Sequence, residues 1–162
     1  MFEGIPDRRK GLVIGIVGGL IGAYAMRRYQ RDVLPKLFPD VDLKATAPEV
    51  SVPMAYTLLT ETIPSAEEQH RLEAGARWGT GVLMGLVYGA TRTSTLPRDF
   101  AGGFFYGIRL WIGDEIIYRL TEGAEASVRR PHVALLTGYW VYSFVTANST
   151  RLLYRLFSPQ DW

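Results

Sequence analysis

The amino-acid sequence predicts an all-α fold, an integral membrane bundle of about four transmembrane helices with a proline-rich extramembrane loop. Four apolar stretches, at about 11–27, 76–94, 100–120 and 132–154, each approach the ~20 residues that a helix needs to cross a hydrocarbon core. A soluble four-helix bundle would need a polar face on every helix, and the segment LVIGIVGGLIGAYAM has none. We therefore expect a single membrane domain that comprises residues 1–162.

Composition excludes several kinds of site. The chain has no cysteine, which rules out disulfide bonds and thiolate metal sites. Its formal net charge is only +2, and its basic residues adjoin the apolar stretches. This placement is typical of anchors to lipid headgroups and not of a nucleic-acid surface. We thus expect the lipid bilayer as a partner, and no nucleic acid.

The first predicted helix, at about 11–27, is rich in glycine. Glycines repeat at intervals of four residues in two rows, one of Gly11, Gly15 and Gly19 and the other of Gly18 and Gly22. Such rows of small residues let the backbones of two membrane helices approach closely. Packing inside one bundle is favoured over a dedicated dimer interface.

The same segment also fits the apolar core of a secretion signal. The basic residues Arg8, Arg9 and Lys10 precede it, and it ends in Ala23-Tyr24-Ala25, which is similar to a signal-peptidase site. A cleaved signal would be missing from the mature chain. We expect a retained membrane helix instead.

A loop is predicted at about 28–64 and a helix at about 66–94. The loop contains prolines, which exclude one long helix because each lacks an amide hydrogen. These are Pro35, Pro39, Pro48, Pro53 and Pro64. Ser65 and Glu68 have the spacing of a capping box, and Glu67 can pair with Arg71. A further row of glycines predicts close packing of this helix. It consists of Gly81, Gly85 and Gly89.

The third and fourth helices are predicted at about 100–120 and 132–156. The turn before the third helix is short, so the second and third helices should be antiparallel neighbours. The third helix, FAGGFFYGIRLWIGDEIIYRL, is apolar but contains three charged residues, Arg109, Asp114 and Glu115, before Arg119 near its end. Charges inside a membrane span are costly and usually face a partner or a cavity.

The helical period assigns two of these charges to different surroundings. At about 100° per residue, Asp114 lies nearly in line with Gly103 and Gly107, so we expect it on the packed face of the third helix. We expect Glu115 near the membrane interface, paired with Arg119 one turn later.

The third charge, Arg109, needs a partner outside its own turn. It lies about 140° from Asp114 around the helix, which excludes a pair between them. Asn148 or a tyrosine of the fourth helix is the expected partner, and a group on another chain is the alternative. A pathway for protons or ions through the three charges is the functional alternative.

Other chemistry is weakly indicated. Glu67 and His70 have the Glu-x-x-His spacing of di-iron bundle proteins, but a second such pair is missing, since His132 has no acidic residue three positions earlier. The sequence also lacks the G-x-x-x-x-G-K-[ST], H-E-x-x-H and G-x-S-x-G motifs. We predict no enzyme, no metal and no dedicated cofactor, and we leave open a lipid or pigment between the helices.

Four segments together are similar to a known family of membrane proteins. They are GLVIGIVGGLIGAYAM, GVLMGLVYG, GGFFYGIRLWIGDE and YWVYSFVTANSTRLLYRL. The matching positions are Gly85, Tyr88, Gly89, Gly103, Gly107, Trp111, Asp114, Glu115, Tyr142 and Arg151. They resemble the YagU-like family of small bacterial inner-membrane proteins, whose biochemical function is unassigned. Histidines that relatives often carry are replaced here by Arg77-Trp78 and Thr137-Gly138.

The resemblance implies a multi-pass protein of the bacterial inner membrane, with some relatives linked to acid tolerance. From the rows of small residues, we expect a non-enzymatic structural or accessory subunit that packs against other membrane subunits, either copies of itself or a larger complex. The alternative is a protein that conducts protons or ions in acid stress, which the charged third helix and the resemblance favour.

Overall fold

A computed structural model describes residues 8–40, 64–91, 99–122 and 131–157 of the chain. These residues form five helices: α1 (Arg8–Asp32), α2 (Leu34–Leu37), α3 (Ala66–Thr91), α4 (Asp99–Glu122) and α5 (His132–Phe157). No strand occurs in this part of the chain. The predicted all-α class is therefore confirmed.

Helix α1 extends beyond its predicted bounds of about 11–27. It begins at Arg8 and ends at Asp32, so the predicted loop at 28–64 starts in helix. Arginine, lysine and glutamine are good helix formers, and the last turn carries Arg31, whose charge suits the negative end of the helix dipole. The end of the apolar run therefore does not mark the end of the helix.

The rest of the predicted loop is described only in part. Helix α2 has Pro35 in its first turn, where the missing amide hydrogen removes no helical hydrogen bond. Its Leu34 is 1 % exposed and so fixes this short helix against the bundle. Residues 41–63 lie outside the described part of the chain, as do residues 92–94 at the predicted end of the second helix.

Helix α3 begins with the predicted capping box. The backbone amide of Ser65 donates to Glu68 Oε2 at 2.9 Å, and its hydroxyl lies 2.7 Å from the same oxygen. In return, the Glu68 amide donates to Ser65 Oγ at 3.4 Å. The hydroxyl and the amide of Ser65 hold the pKa of the Glu68 carboxyl below its ordinary value of 4.5. The predicted pair of Glu67 with Arg71 is also confirmed, at 2.6 Å.

Each contacting pair of long helices is antiparallel, but the predicted neighbours α3 and α4 pack little against each other. Helix α1 contacts α3 on one side and α5 on the other, and α5 also contacts α4. Gly11 near the start of α1 lies against Gly89 near the end of α3, and Gly22 lies against Tyr142 of α5. The starts of α1 and α4 and the ends of α3 and α5 therefore lie at one end of the bundle, and their opposite termini lie at the other.

One helix among the described residues, Lys10–Asp32, is long and apolar enough to cross a membrane. Helix α4 is similar in length but carries five charged residues in its middle and second half. Helix α5 contains many tyrosine, serine and threonine residues, which lower its mean hydropathy.

Small residues form much of the interior of the bundle. Ser143, Thr146 and Thr150 are fully buried, together with Leu34. The larger side chains of Ile14, Leu135, Tyr142 and Tyr154 are also buried. Large apolar side chains point outward on every long helix as well: Val13 of α1 is 60 % exposed, Leu83 of α3 54 %, Phe105 of α4 59 % and Val133 of α5 66 %. A water-soluble bundle usually presents polar side chains on its outer face.

Candidate functional site

The contact between α1 and α3 is made of glycine. A methyl group placed on Gly19 would lie 2.6 Å from the Cα atom of Gly85, and one on Gly15 would lie 2.9 Å from the Cα atom of Gly89. Gly81 continues the row, since its carbonyl oxygen lies against Gly19. The two backbones therefore touch directly, and a side chain at these positions would separate the helices.

The second glycine row of α1 faces α5. Gly18 lies against the hydroxyl of Thr150, and Gly22 lies against that of Thr146. Both threonines are 0 % exposed. These two threonines are absent from the sequence prediction, although their spacing of four residues is the same as that of the glycines opposite. Both glycine rows of α1 are thus used inside this chain.

The glycines of α4 also face α5. A methyl group on Gly107 would lie 2.7 Å from Cδ1 of Trp140, and one on Gly103 would lie 3.2 Å from Cδ1 of Phe144. This contact is looser than that between α1 and α3, because aromatic side chains are the nearest atoms and the backbone oxygens of Tyr139 and Ser143 lie farther away, at 3.2 and 3.5 Å. Helix α4 is consequently the long helix that is least tightly enclosed.

The buried carboxylate of α4 is Glu115, and not Asp114 as expected. Glu115 is 7 % exposed, whereas Asp114 is half-buried. Crossing helices pack along rows of residues four apart. Such a row leads from Gly103 and Gly107 through Trp111 to Glu115. The average helical period placed Asp114 on this row, and the structure places Glu115 there instead.

Glu115 joins α4 to the start of α5. Its Oε1 atom accepts a hydrogen bond from Arg119 Nε at 3.0 Å, which confirms the predicted pair. Its Oε2 atom lies 3.5 Å from Nδ1 of His132, the first residue of α5. The ring of Trp111 meets the imidazole edge-on, with centroids 5.9 Å apart. A buried carboxylate thus lies between a permanent cation and an imidazole that can take up a proton.

The position of His132 beside Glu115 does not follow from the sequence pattern, which bears only on a metal ligand with an acidic neighbour on the same helix. The pair with Glu115 joins α4 to the first residue of α5, and Glu115 is about two helical turns from the end of α4. Antiparallel pairing of the two helices is the signal that would have indicated it.

Arg109 lies on the outside of the bundle. It follows Gly107, which faces α5, by two residues and so points about 200° away from that contact. Its side chain is exposed, and no hydrogen bond or ion pair joins it to the described part of the chain. The expected partner Asn148 instead donates its amide to the Phe144 carbonyl oxygen at 2.8 Å. The prediction of an internal partner was wrong for the residues described.

Tyrosines connect α3 to the two helices that it contacts least. Tyr142 of α5 donates a hydrogen bond to the Gly81 carbonyl oxygen at 3.0 Å. Tyr106 of α4 donates to the Met84 carbonyl oxygen at 2.6 Å, and its ring lies 5.1 Å from that of Tyr88. These long side chains close the bundle between α3 and α4.

The candidate metal ligands of the sequence are described only in part. The side chain of His70 lies outside the described side chains, so the proposed pair with Glu67 is untested. Within the described residues, no three His, Asp or Glu side chains come close enough together to hold a metal ion.

Comparison with protein-family models, curated proteins and solved structures finds no match to this chain. The resemblance to the YagU-like family stays a prediction.

Proposed function

We propose that this chain is a multi-pass protein of the bacterial inner membrane, and that it serves as a non-enzymatic accessory subunit of a larger membrane assembly. In this proposal α1, α3, α4 and α5 all cross the bilayer. The short α2 and the start of α3 then lie at the water interface of one side.

The distribution of side-chain size carries the membrane part of this proposal. In water, a bundle is stabilised by burying large apolar side chains, and its outer face is polar. Here glycine and threonine form the closest contacts of α1 with α3 and α5, while the large apolar side chains of Val13, Leu83, Phe105 and Val133 point outward. Such an arrangement suits lipid, where close backbone packing and not the hydrophobic effect holds helices together.

The position of α4 supports the role as a subunit. In the described residues, its backbone packs against α5, and it reaches α3 mainly through Tyr106. The glycine rows of α1 and α3 are occupied within the chain, so contact with another subunit through them would need the bundle to open. Contact with another subunit through the outer side of α4 would not need the bundle to open.

Gentle detergent extraction of native membranes tests this proposal. The extract is separated on a native gel, and the proteins that migrate with this chain are identified by mass spectrometry. We expect the chain in the membrane pellet after washing with alkaline carbonate, and then in stoichiometric amount with a larger complex. Release by carbonate, or migration as a monomer or homo-oligomer alone, would contradict the proposal.

A second candidate function is conduction of protons or ions in acid stress. The observation that favours it is the buried Glu115, whose carboxylate lies beside His132 within the bundle. It predicts that Glu115→Gln and Asp114→Asn abolish a pH-driven flux into liposomes that contain the purified protein. Full flux in both variants would exclude it, with protein-free liposomes as the blank.

A further inference from the structure

Arg109 lies near the middle of α4. The helix has 24 residues, of which Arg109 is the eleventh. At about 1.5 Å per residue, it is about 15 Å from the start of the helix and about 20 Å from its end. An arginine side chain is shorter than either distance. If α4 spans the bilayer, the guanidinium therefore cannot reach the headgroups of either leaflet by extending along the helix.

The surroundings of Arg109 on its own helix are apolar. Phe105 is 59 % exposed, Ile112 45 % and Ile116 53 %, and a methyl group on Gly102 would meet nothing within 4 Å. We call these four residues and Arg109 the α4 outer face. A charge at this depth is stabilised only by an opposite charge or by polar groups that replace water.

A second copy of this chain is a poor source of that opposite charge. Two copies inserted in the same direction and related by a two-fold axis would place one Arg109 against the other at equal depth. Like charges repel strongly where no water screens them.

Among the carboxylates that the structure describes on the long helices, none supplies a complementary site for Arg109. Those of Asp32, Glu67 and Glu68 lie at the end of the bundle where α1 ends, and Glu115 is buried inside it. Asp114 already has an interaction partner and is half-buried. The charge of Arg109 on an exposed helix face therefore favours a carboxylate of another protein.

We propose that the α4 outer face docks a transmembrane helix of a different protein, and that this helix carries an Asp or Glu at the depth of Arg109. The inference rests on the proposed function and specifies its partner. The carboxylate pairs with the guanidinium, and the open space beside Gly102 lets the partner's backbone approach. A protein that carries Arg109 unpaired in lipid would be less stable than the assembled complex.

Synthetic transmembrane peptides test the inference. The purified protein is reconstituted in neutral phosphatidylcholine liposomes, and association with labelled leucine-rich peptides is measured by energy transfer. One peptide has a central Glu, and the matched peptides have Gln or Leu there. We expect the Glu peptide to bind about tenfold more tightly than the Leu peptide, as polar contacts between membrane helices allow.

Variants at Arg109 identify the residue responsible. Arg109→Gln should abolish the preference for the Glu peptide, and Arg109→Lys should retain part of it. Arg71→Gln removes an equal charge from an exposed site on the first half of α3 and should change nothing. Equal binding of the Glu and Leu peptides, or an unchanged preference in Arg109→Gln, would overturn the inference.

These outcomes are distinct from failure of the proposed function. An integral protein that ignores the Glu peptide overturns only the identity of the partner. A protein that carbonate releases from native membranes overturns the proposed function itself.

Discussion

Gly85 is the residue at which the contact between α1 and α3 is closest. A methyl group added to Gly85 would lie 2.6 Å from the Cα atom of Gly19. This backbone atom cannot move without displacing the whole of α1. We expect Gly85→Ala to lower the free energy of unfolding by about 1–3 kcal/mol, which is the usual cost of overpacking. The measurement is unfolding in mixed detergent micelles, followed by circular dichroism.

Gly79 provides the matched control for this substitution. It lies on the same helix, but an added methyl group would meet nothing within 4 Å. Because alanine has a higher helix propensity than glycine by about 1 kcal/mol, Gly79→Ala should leave stability unchanged or raise it. Equal loss in both variants would show that the glycines matter for some reason other than the close approach.

Tyr142 contributes a hydrogen bond between helices that touch little otherwise. Its phenol donates to the Gly81 carbonyl oxygen in a buried position. We expect Tyr142→Phe to lower the free energy of unfolding by about 1 kcal/mol, since the ring stays and one neutral hydrogen bond is lost. Tyr24, which is 54 % exposed on α1, is the control residue. An equal decrease in the free energy of unfolding in a Tyr24→Phe variant would refute the role given to Tyr142.

At the scale of a helix, the stability of the first turn of α3 should depend on pH. The pKa of Glu68 is below 4.5 because Ser65 donates to its carboxylate. A lowered folded-state pKa means that the ionised form stabilises the helix start above the unfolded-state pKa, and that this contribution disappears as pH falls through the folded-state value. The protection of the Ser65 and Gln69 amides against hydrogen exchange, relative to an unstructured chain at the same pH, should therefore decrease on acidification below about 4.5.

Glu68→Gln is the control for this dependence. Glutamine can still accept a hydrogen bond from Ser65 but does not titrate. The decrease in protection of these amides at low pH should disappear in this variant. If it persists there unchanged, another group is responsible for the acid sensitivity of the helix start.

The sequence predicts the presence of helices better than their ends or their facing residues. The capping box fixes the start of α3 because it acts over three residues. The end of α1 has no such local signal, and the helix continues past the apolar run to Asp32. Glu115, and not Asp114, lies on the buried face because of the way α4 crosses α5. The sequence of one helix does not specify this crossing.

For the molecule as a whole, apolar length indicates the number of long helices, and the glycine rows indicate that they pack closely. The sequence does not indicate which helices contact each other. The positions of Arg109 on the outside and of His132 beside Glu115 both depend on α4 packing against α5. Local patterns describe each helix alone, so these two features emerge only from the assembled bundle.

The number of membrane crossings is the central claim, and labelling of single cysteines tests it most directly. The chain has no cysteine of its own, so each introduced thiol is the only one. Glu67 and Leu120 are exposed at one end of the bundle, and Thr91 and Phe157 are exposed at the other. A membrane-impermeant maleimide is applied to sealed vesicles of either orientation.

Our account predicts that cysteines at positions 67 and 120 react from one side of the membrane only, and that those at 91 and 157 react from the opposite side only. Cysteines in place of Val17 and Ile112, on the outer surface within the proposed spans, should react only after detergent is added. Reaction of all four end positions from the same side, without detergent, would contradict four crossings.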